Sequence, residues 1–377
     1  MNAYGGTYSA EGIMAIADAL RVNGALTTLN LSSNFIGGYW DNNKSQMVST
    51  PEGPKAIADA LLVNGSLTEC NVRGNFLDSE SAKKLAKIGN EKGIMLFGIK
   101  RDQKEANFAR QGLGPADAIL ISSDLVIGGL TALDLSYNGL RDEGVSAVCE
   151  AIQSNKETKL ASLNFRNNGI GPVGANAVAA MVAVTDGLTS LNLSNNKLGD
   201  SNWTSHQTDD GQIFYHNKAT NESTWTPPAE GLSPGILALA HALHVNGALT
   251  SLDLSHNQLC GLDHNGRGTY TAEGITAIAD ALRVNGALTV ANFLGNHLDL
   301  ESAKMLIQVA KQKDISLCGI RRDQTTADFS DKYLKPPDAI LLASDLSQAV
   351  VTGALTQVLD FRSPWISLFC SLTLALL

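Results

Sequence analysis

"LTSLNLSNNKLG", residues 188–199, is the stretch whose reading decides the fold. Leucine stands at its first, fourth, sixth and eleventh positions, and asparagine at its ninth. Successive side chains of an extended segment point to opposite sides, so Leu191 and Leu193 face one way and Asn192 the other. "LTTLNLSSNFIG" (26–37), "LTALDLSYNGLR" (130–141) and "LTSLDLSHNQLC" (249–260) follow the same template. "LTECNVRGNFLD" (67–78), "LASLNFRNNGIG" (160–171) and "LTVANFLGNHLD" (288–299) fit it with apolar replacements, and "QKEANFARQGLG" (103–114) and "QTTADFSDKYLK" (324–335) are degenerate copies. Self-similarity at a fixed period is the mark of a repeat array.

Between the copies the pattern becomes helical. "EGIMAIADALRVNG" places Ile13, Ile16, Ala17 and Leu20 on one helix face, with Gly24 as the expected stop. Ser9, Thr50, Ser233 and Thr271 are placed to cap such helices, and Pro51 and Pro234 to open them. A strand and a helix in each repeat, over most of residues 9–361, resemble the leucine-rich repeats of the ribonuclease-inhibitor and NOD-like-receptor type. The resemblance implies an α/β solenoid with a parallel sheet on the concave side and helices on the convex side. The column Asn34, Asn75, Asn138, Asn168, Asn196, Asn257 and Asn296 is then expected to bond backbone between coils. A longer repeat lies over the short one: "GIMAIADALRVNGALTTLNLSSN" returns as "GILALAHALHVNGALTSLDLSHN", and "GIKRDQKEANF" as "GIRRDQTTADF".

Composition narrows the function. A formal net charge of -9 disfavours a broad surface for nucleic acid or anionic membrane. The cysteines (Cys70, Cys149, Cys260, Cys318, Cys370) are odd in number and lack Cys-x-x-Cys spacing, which fits reduced thiols in an intracellular, cytoplasmic protein. The N-terminus has no signal-peptide pattern, and the apolar "WISLFCSLTLALL" falls short of a membrane span of about 20 residues.

Two apparent chemical motifs dissolve on internal comparison. "GIGPVG" (169–174) has dinucleotide-site spacing, but Gly169 occupies the place of Phe35, Phe76 and Gln258 in sister repeats. "HALH" (241–244), with His256 and His264 beyond it, invites a metal reading; sister helices carry Asp18 and Arg21, or Asp280 and Arg283, at the same positions. No nucleophile–base constellation or phosphate loop is present. The expectation is a protein without catalytic residues, cofactor or metal.

One stretch breaks the rhythm. "DGQIFYHNKATNESTWTPP" (210–228) is rich in aromatics and amides, and its pattern extends upstream to Trp203. Trp203, the Phe214-Tyr215 pair, Asn217, Trp225 and Pro228 stand at spacings that resemble a WW domain, a three-stranded module inserted here between two repeats. The resemblance implies turns at Asp209–Gly211 and Lys218–Asn221. It implies a structural buckle of Trp203, Tyr215, Asn217 and Pro228 on one face. On the other it implies a proline groove of Phe214 and Trp225, with Ser223 as hydrogen-bond donor and His216 and Lys218 setting ligand specificity. A polyproline II segment suits such a groove because it is already extended. Lys218 where tyrosine-reading members carry His, and Gly199-Asp200 where Leu-Pro is usual, depart from the pattern.

The expected division is leucine-rich repeats over 1–200, the WW module over 201–230, repeats again over 231–361 and an apolar tail over 362–377. The template is expected to fail after Leu355, the tail either covering the last coil or marking a piece of a longer repeat protein. Insertions at 38–50 and 261–271 fall at the same repeat position as the WW module, so all three are expected on one rim. The function expected is a non-enzymatic scaffold whose WW module binds proline-rich segments of another protein in trans. The alternative is recognition through the concave face, whose outward residues are bland apart from Arg73 and Arg166, with the WW module peripheral. No mark of oligomeric state is present.

Overall fold

The computed structural model describes residues 9–41, 44–199, 203–208, 212–217, 222–225, 234–263, 265–268, 270–330, 334–348 and 353–359. The chain divides into two compact units, one of residues 1–134 and 138–160, the other of residues 135–137 and 161–377.

In the first unit strands and helices alternate: α1 (Glu11–Val22), β1 (Thr28–Asn30), a hairpin of β2 (Gly38–Asp41) and β3 (Gln46–Ser49), α2 (Glu52–Val63), β4 (Glu69–Asn71), α3 (Ser79–Lys92), β5 (Glu105–Asn107), α4 (Pro115–Ile127), β6 (Ala132–Asp134) and α5 (Arg141–Ser154). β1 pairs with β4 and β5 with β6, both parallel and in template register, Leu29 opposite Cys70 and Ala106 opposite Leu133. α1 packs on α2, α3 on α4 and α4 on α5. The second unit runs β7 (Ser162–Asn164), α6 (Pro172–Val184), β8 (Ser190–Asn192), then three short strands β9 (Trp203–Gln207), β10 (Ile213–Asn217) and β11 (Ser223–Thr224), then α7 (Pro234–Val245), β12 (Ser251–Asp253), α8 (Glu273–Val284), β13 (Val290–Asn292), α9 (Leu300–Lys313), β14 (Thr326–Asp328), α10 (Pro336–Leu346) and β15 (Gln357–Leu359). Here β7, β8, β12 and β13 form a parallel run with Leu163, Leu191, Leu252 and Ala291 in line. Those four residues are buried while their strand neighbours are mostly half-exposed, the alternation that the template requires.

The asparagine column stitches the coils together as expected. Asn75 donates from Nδ2 to the carbonyls of Leu31 and Val72, both at 2.8 Å, and its Oδ1 accepts the N–H of Asn34 at 2.8 Å and of Ile36 at 3.2 Å. Asn196 repeats the device on Phe165, Leu193, Asn168 and Ile170. Turn carbonyls that would lie orphaned in the core are thus satisfied within the protein.

Several local expectations are corrected. Gly24 does not stop α1: Asn23 is the C-cap and Gly24 is not left-handed. The equivalents Asn64, Asn246 and Asn285 end their helices, each donating Nδ2 to carbonyls at the end of the preceding helix, at 2.7–3.0 Å for Asn64 and Asn285. "VNG" is therefore a second asparagine stitch, on the helix side. Ile16 is 41% exposed although its sister Ile278 is fully buried, since the described residues place no coil before α1 as α7 stands before α8. The strand β15 pairs with β14 in register, so a strand does follow Leu355, although Leu355 and Val358, at the template's inward positions, are only half-buried.

Ser9 and Thr271 do accept the N–H of Glu11 and Glu273 at 3.2 Å, and Pro234 opens α7. Ser233 lies outside the described residues.

The duplicated block adds rungs that the template does not show. Residues 94–99 and 315–320 bridge to β4 and β13, Cys70 N–H donating to Met95 and Ala291 N–H to Ser316, both at 2.8 Å. Each rung is held by a fully buried carboxylate. Asp124 accepts the N–H of Leu96 and Phe97 at 2.6 and 3.0 Å; Asp345 accepts those of Leu317 and Cys318, and the Ser316 hydroxyl.

Candidate functional site

Within the second unit, the three-stranded insertion follows Gly199. The Gly199 N–H donates to the Asn257 carbonyl of the next coil at 3.1 Å. A Cβ on Gly199 would lie 2.1 Å from the Gln258 carbonyl oxygen, so only glycine fits this approach. The chain rejoins the array at Pro234.

Between these points β9, β10 and β11 form an antiparallel sheet with β10 in the centre. The first turn is closed by Thr208: its N–H donates to the Gln212 carbonyl at 2.9 Å, and its hydroxyl lies 3.1 Å from both that carbonyl and the Gln212 N–H. Register pairs Trp203 with Asn217, Ser205 with Tyr215 and Tyr215 with Thr224, and puts Phe214 opposite His206 and His216 opposite Thr204 and Ser223. Backbone positions 203, 205, 215, 217 and 224 thus form one alternating set, and 204, 206, 214, 216 and 223 the other. The expected buckle positions 203, 215 and 217 fall in the first set. The expected ligand positions 214, 216 and 223 fall in the second.

On that second set His216 Nδ1 lies 3.1 Å from the exposed Ser223 hydroxyl. Two residues on, Trp225 is 61% exposed. A large, mostly exposed ring offers an apolar surface to a ligand. The side chains of Trp203, Phe214, Tyr215 and Asn217, and the residues Lys218 and Pro228, lie outside what the structure describes.

The two arginines expected on the sheet face are engaged differently. Arg73, in the first unit, lays its guanidinium over the Phe97 and Phe108 rings at 5.4 and 5.5 Å and bonds to Gln111. It is a strut between coils. Arg166, in the second unit, lies 5.1 Å over the Tyr137 ring, and its Nε is buried without a hydrogen-bond partner. It lines a cleft of about 810 Å³ together with Lys197, His256, His297 and Lys335, of which the sequence reading considered only His256, as a metal ligand. His241 and His244 are exposed on α7, at solvent-facing positions as expected.

Comparison with known proteins puts this architecture in a class. Leucine-rich-repeat family profiles match residues 130–149, 156–179 and 188–201, and a further leucine-rich-repeat profile matches 248–266. A WW-domain profile matches residues 200–228. The protein is built of interaction modules, and none of the matched families is an enzyme family. The chain carries leucine-rich repeats on both sides of a WW domain. Among solved structures the chain is similar to "Leiomodin-1 Actin-Binding Site 2 (ABS2)", at 21% identity over 48% of this chain and 80% of that one, with a TM-score of 0.32. No curated protein matches it. Among the described residues no helix is long and apolar enough to cross a membrane.

Proposed function

We propose that this protein is a non-enzymatic scaffold whose WW module captures proline-rich segments of a partner protein. The observation that carries the reading is Trp225, 61% exposed and two residues beyond the His216–Ser223 pair. In this reading a proline ring stacks on Trp225, with Phe214 completing the groove. The Ser223 hydroxyl donates to a ligand carbonyl, and His216 and Lys218 select the flanking residue. Trp203, Tyr215, Asn217 and Pro228 hold the sheet. Aromatic rings left exposed on rigid sheets concentrate binding energy at little entropic cost.

The working parts follow the expected division, with repeats over 1–200 and 231–361 carrying the WW module over 201–230. The repeats are read as the ribonuclease-inhibitor-like subtype. Cys70, Cys149, Cys260 and Cys318 are buried free thiols, which suits a reducing intracellular compartment. The test is a titration of the whole chain, and of its Trp225→Ala variant, with labelled Pro-rich peptides followed by anisotropy. Saturable binding lost in the variant supports the reading; equal binding by the two proteins refutes it.

A further inference from the structure

Two helices of this protein open with Pro-x-x-Ala and receive on that first turn a glycine of the next helix. A Cβ on Gly144 of α5 would lie 2.9 Å from the Ala118 Cβ and 3.1 Å from the Pro115 Cα of α4. A Cβ on Gly235 of α7 would lie 2.8 Å from the Ala175 Cβ and 2.9 Å from the Pro172 Cα of α6. Only glycine permits so close an approach of two helices. Gly274 of α8 meets Ile236 of α7 in the same way, at 2.9 Å.

Each half of this device recurs without the other in the first and last described helices. α1 has the glycine: Gly12 has nothing within 4 Å of its Cβ position. The face around it is open too. α1 and α8 differ only at Met14 and Thr276, yet Ile16 and Ala19 are exposed where Ile278 and Ala281 are buried, α8 being packed on α7. α10 has the receiving turn, Pro336 and Ala339. Ala339 and Ile340 are half-buried and Leu346 is exposed, whereas their counterparts Ala118, Ile119 and Leu125 in α4 are buried, with α5 packed on that helix.

The strands are left over in the same sense. Among the described residues β1 pairs with β4 alone and β15 with β14 alone. β15 is a strand with no described helix after it, and α1 a helix with no described strand before it. Put together, β15, α1 and β1 would repeat the succession β8, α7, β12, in which β8 pairs with β12 while α7 packs on α6. The residues after β15 lack the glycine that this fit needs. Gly144 stands ten positions beyond Asp134, the end of β6; ten positions beyond Leu359, the end of β15, stands Phe369. The chain thus carries both halves of one coil-to-coil contact, and a second copy supplies each with its complement.

We propose that this protein associates with further copies of itself head to tail. α1 of one copy packs on α10 of the next, Gly12 against Pro336 and Ala339, and β1 pairs in parallel with β15. Such a contact joins two different faces, so each complex keeps a free face of each kind and growth continues unless a ring closes.

The test is sedimentation velocity of the whole chain over a wide range of concentration. Association that grows with concentration is expected. Gly12→Gln fills space that is empty in the single chain and occupied in the contact, so it should weaken association roughly tenfold or more and leave the thermal melt unchanged. Ala339→Gln should do the same from the other face. Gly247→Gln, also with nothing within 4 Å but away from both faces, should associate as the wild type does, and so should Trp225→Ala, which separates this contact from the WW reading. Equal amounts of Gly12→Gln and Ala339→Gln, mixed, should form a pair and nothing larger, because each keeps one working face. A wild type that stays a single chain at every concentration would mean that residues 1–8 or 362–377 cover these faces, or that nothing does, and would overturn the proposal. Undiminished association of Gly12→Gln, or a mixture of the two variants that forms no pair, would overturn it as well.

Discussion

Gly199 and Gln258 meet at a distance that excludes any side chain: a Cβ on the glycine would stand 2.1 Å from the Gln258 carbonyl oxygen and 2.7 Å from its carbon. This is where the WW module leaves the array, and the contact ties the point of departure to the next coil. Gly37, before the β2–β3 hairpin, has a related contact, 2.7 Å from the Phe76 carbonyl oxygen. Insertions are tolerated at this repeat position because the chain on the array side is anchored before it departs. Gly199→Ala should lower stability by about 1–3 kcal/mol through overpacking, whereas Gly247→Ala, with nothing within 4 Å, should change it little. Chemical denaturation of the two variants separates the cases.

The asparagine column gives a larger effect. Asn75 is almost fully buried and bonds the carbonyls of Leu31 and Val72 and the N–H groups of Asn34 and Ile36. Asn75→Ala removes the donor to the Val72 carbonyl and the acceptor of the Asn34 and buried Ile36 N–H groups, while the Leu31 carbonyl keeps the Asn34 Nδ2 donor. A loss of about 3–5 kcal/mol is expected, from the cost of unsatisfied buried groups. Asn75→Asp should restore only the acceptor half and recover part of the loss. Denaturant midpoints of the three proteins measure this directly.

At Trp225 the effects should separate in the opposite direction. Its ring is mostly in water, so Trp225→Ala removes little buried area and should shift the melting temperature slightly. Binding of a Pro-rich peptide, by contrast, should fall by at least about tenfold, since such rings supply most of the energy in small interfaces. A large loss of stability in this variant would mean that the ring serves the fold.

Asp124 makes stability depend on pH. Burial raises its pKa to about 7 against the bonds from Leu96 and Phe97, which lower it. The folded state therefore holds a proton that the unfolded state has released between the ordinary carboxylate range and pH 7. The contribution of this group is fully present below its unfolded pKa and is lost as pH rises towards 7. Asp124→Asn cannot titrate, so the difference in stability between wild type and variant should shrink steadily from pH 4 to pH 7 and level off above. The variant should be the less stable at low pH, because both carboxylate oxygens accept N–H groups and an amide would turn its NH₂ towards one of them. A difference that stays constant across this range would refute the assignment.

Much of the architecture was legible in the residues. The template, the asparagine column and the break at Trp203–Pro228 are periodic or strongly composed signals, and each depends on contacts within a repeat or between identical neighbours. The rungs at 94–99 and 315–320 were not legible, because each is completed by a carboxylate 27–28 residues away rather than by a repeating leucine. The helix stop lies at the asparagine rather than at the glycine beside it for a related reason: Asn64 and Asn285 are held by carbonyls one coil back, which the residues around Gly24 do not show.

The division between sequence and tertiary structure follows from range. Sequence alone determined which residues face inward, since alternation and repetition are local and every coil obeys the same rule. Only the tertiary structure decided what the turns do together. Lys197, His256, His297 and Lys335 belong to different repeats, up to 138 positions apart by their numbers, and nothing in one repeat announces the others. Stacking the coils at strand spacing brings their turns to one side, and there charges that are unremarkable singly become neighbours.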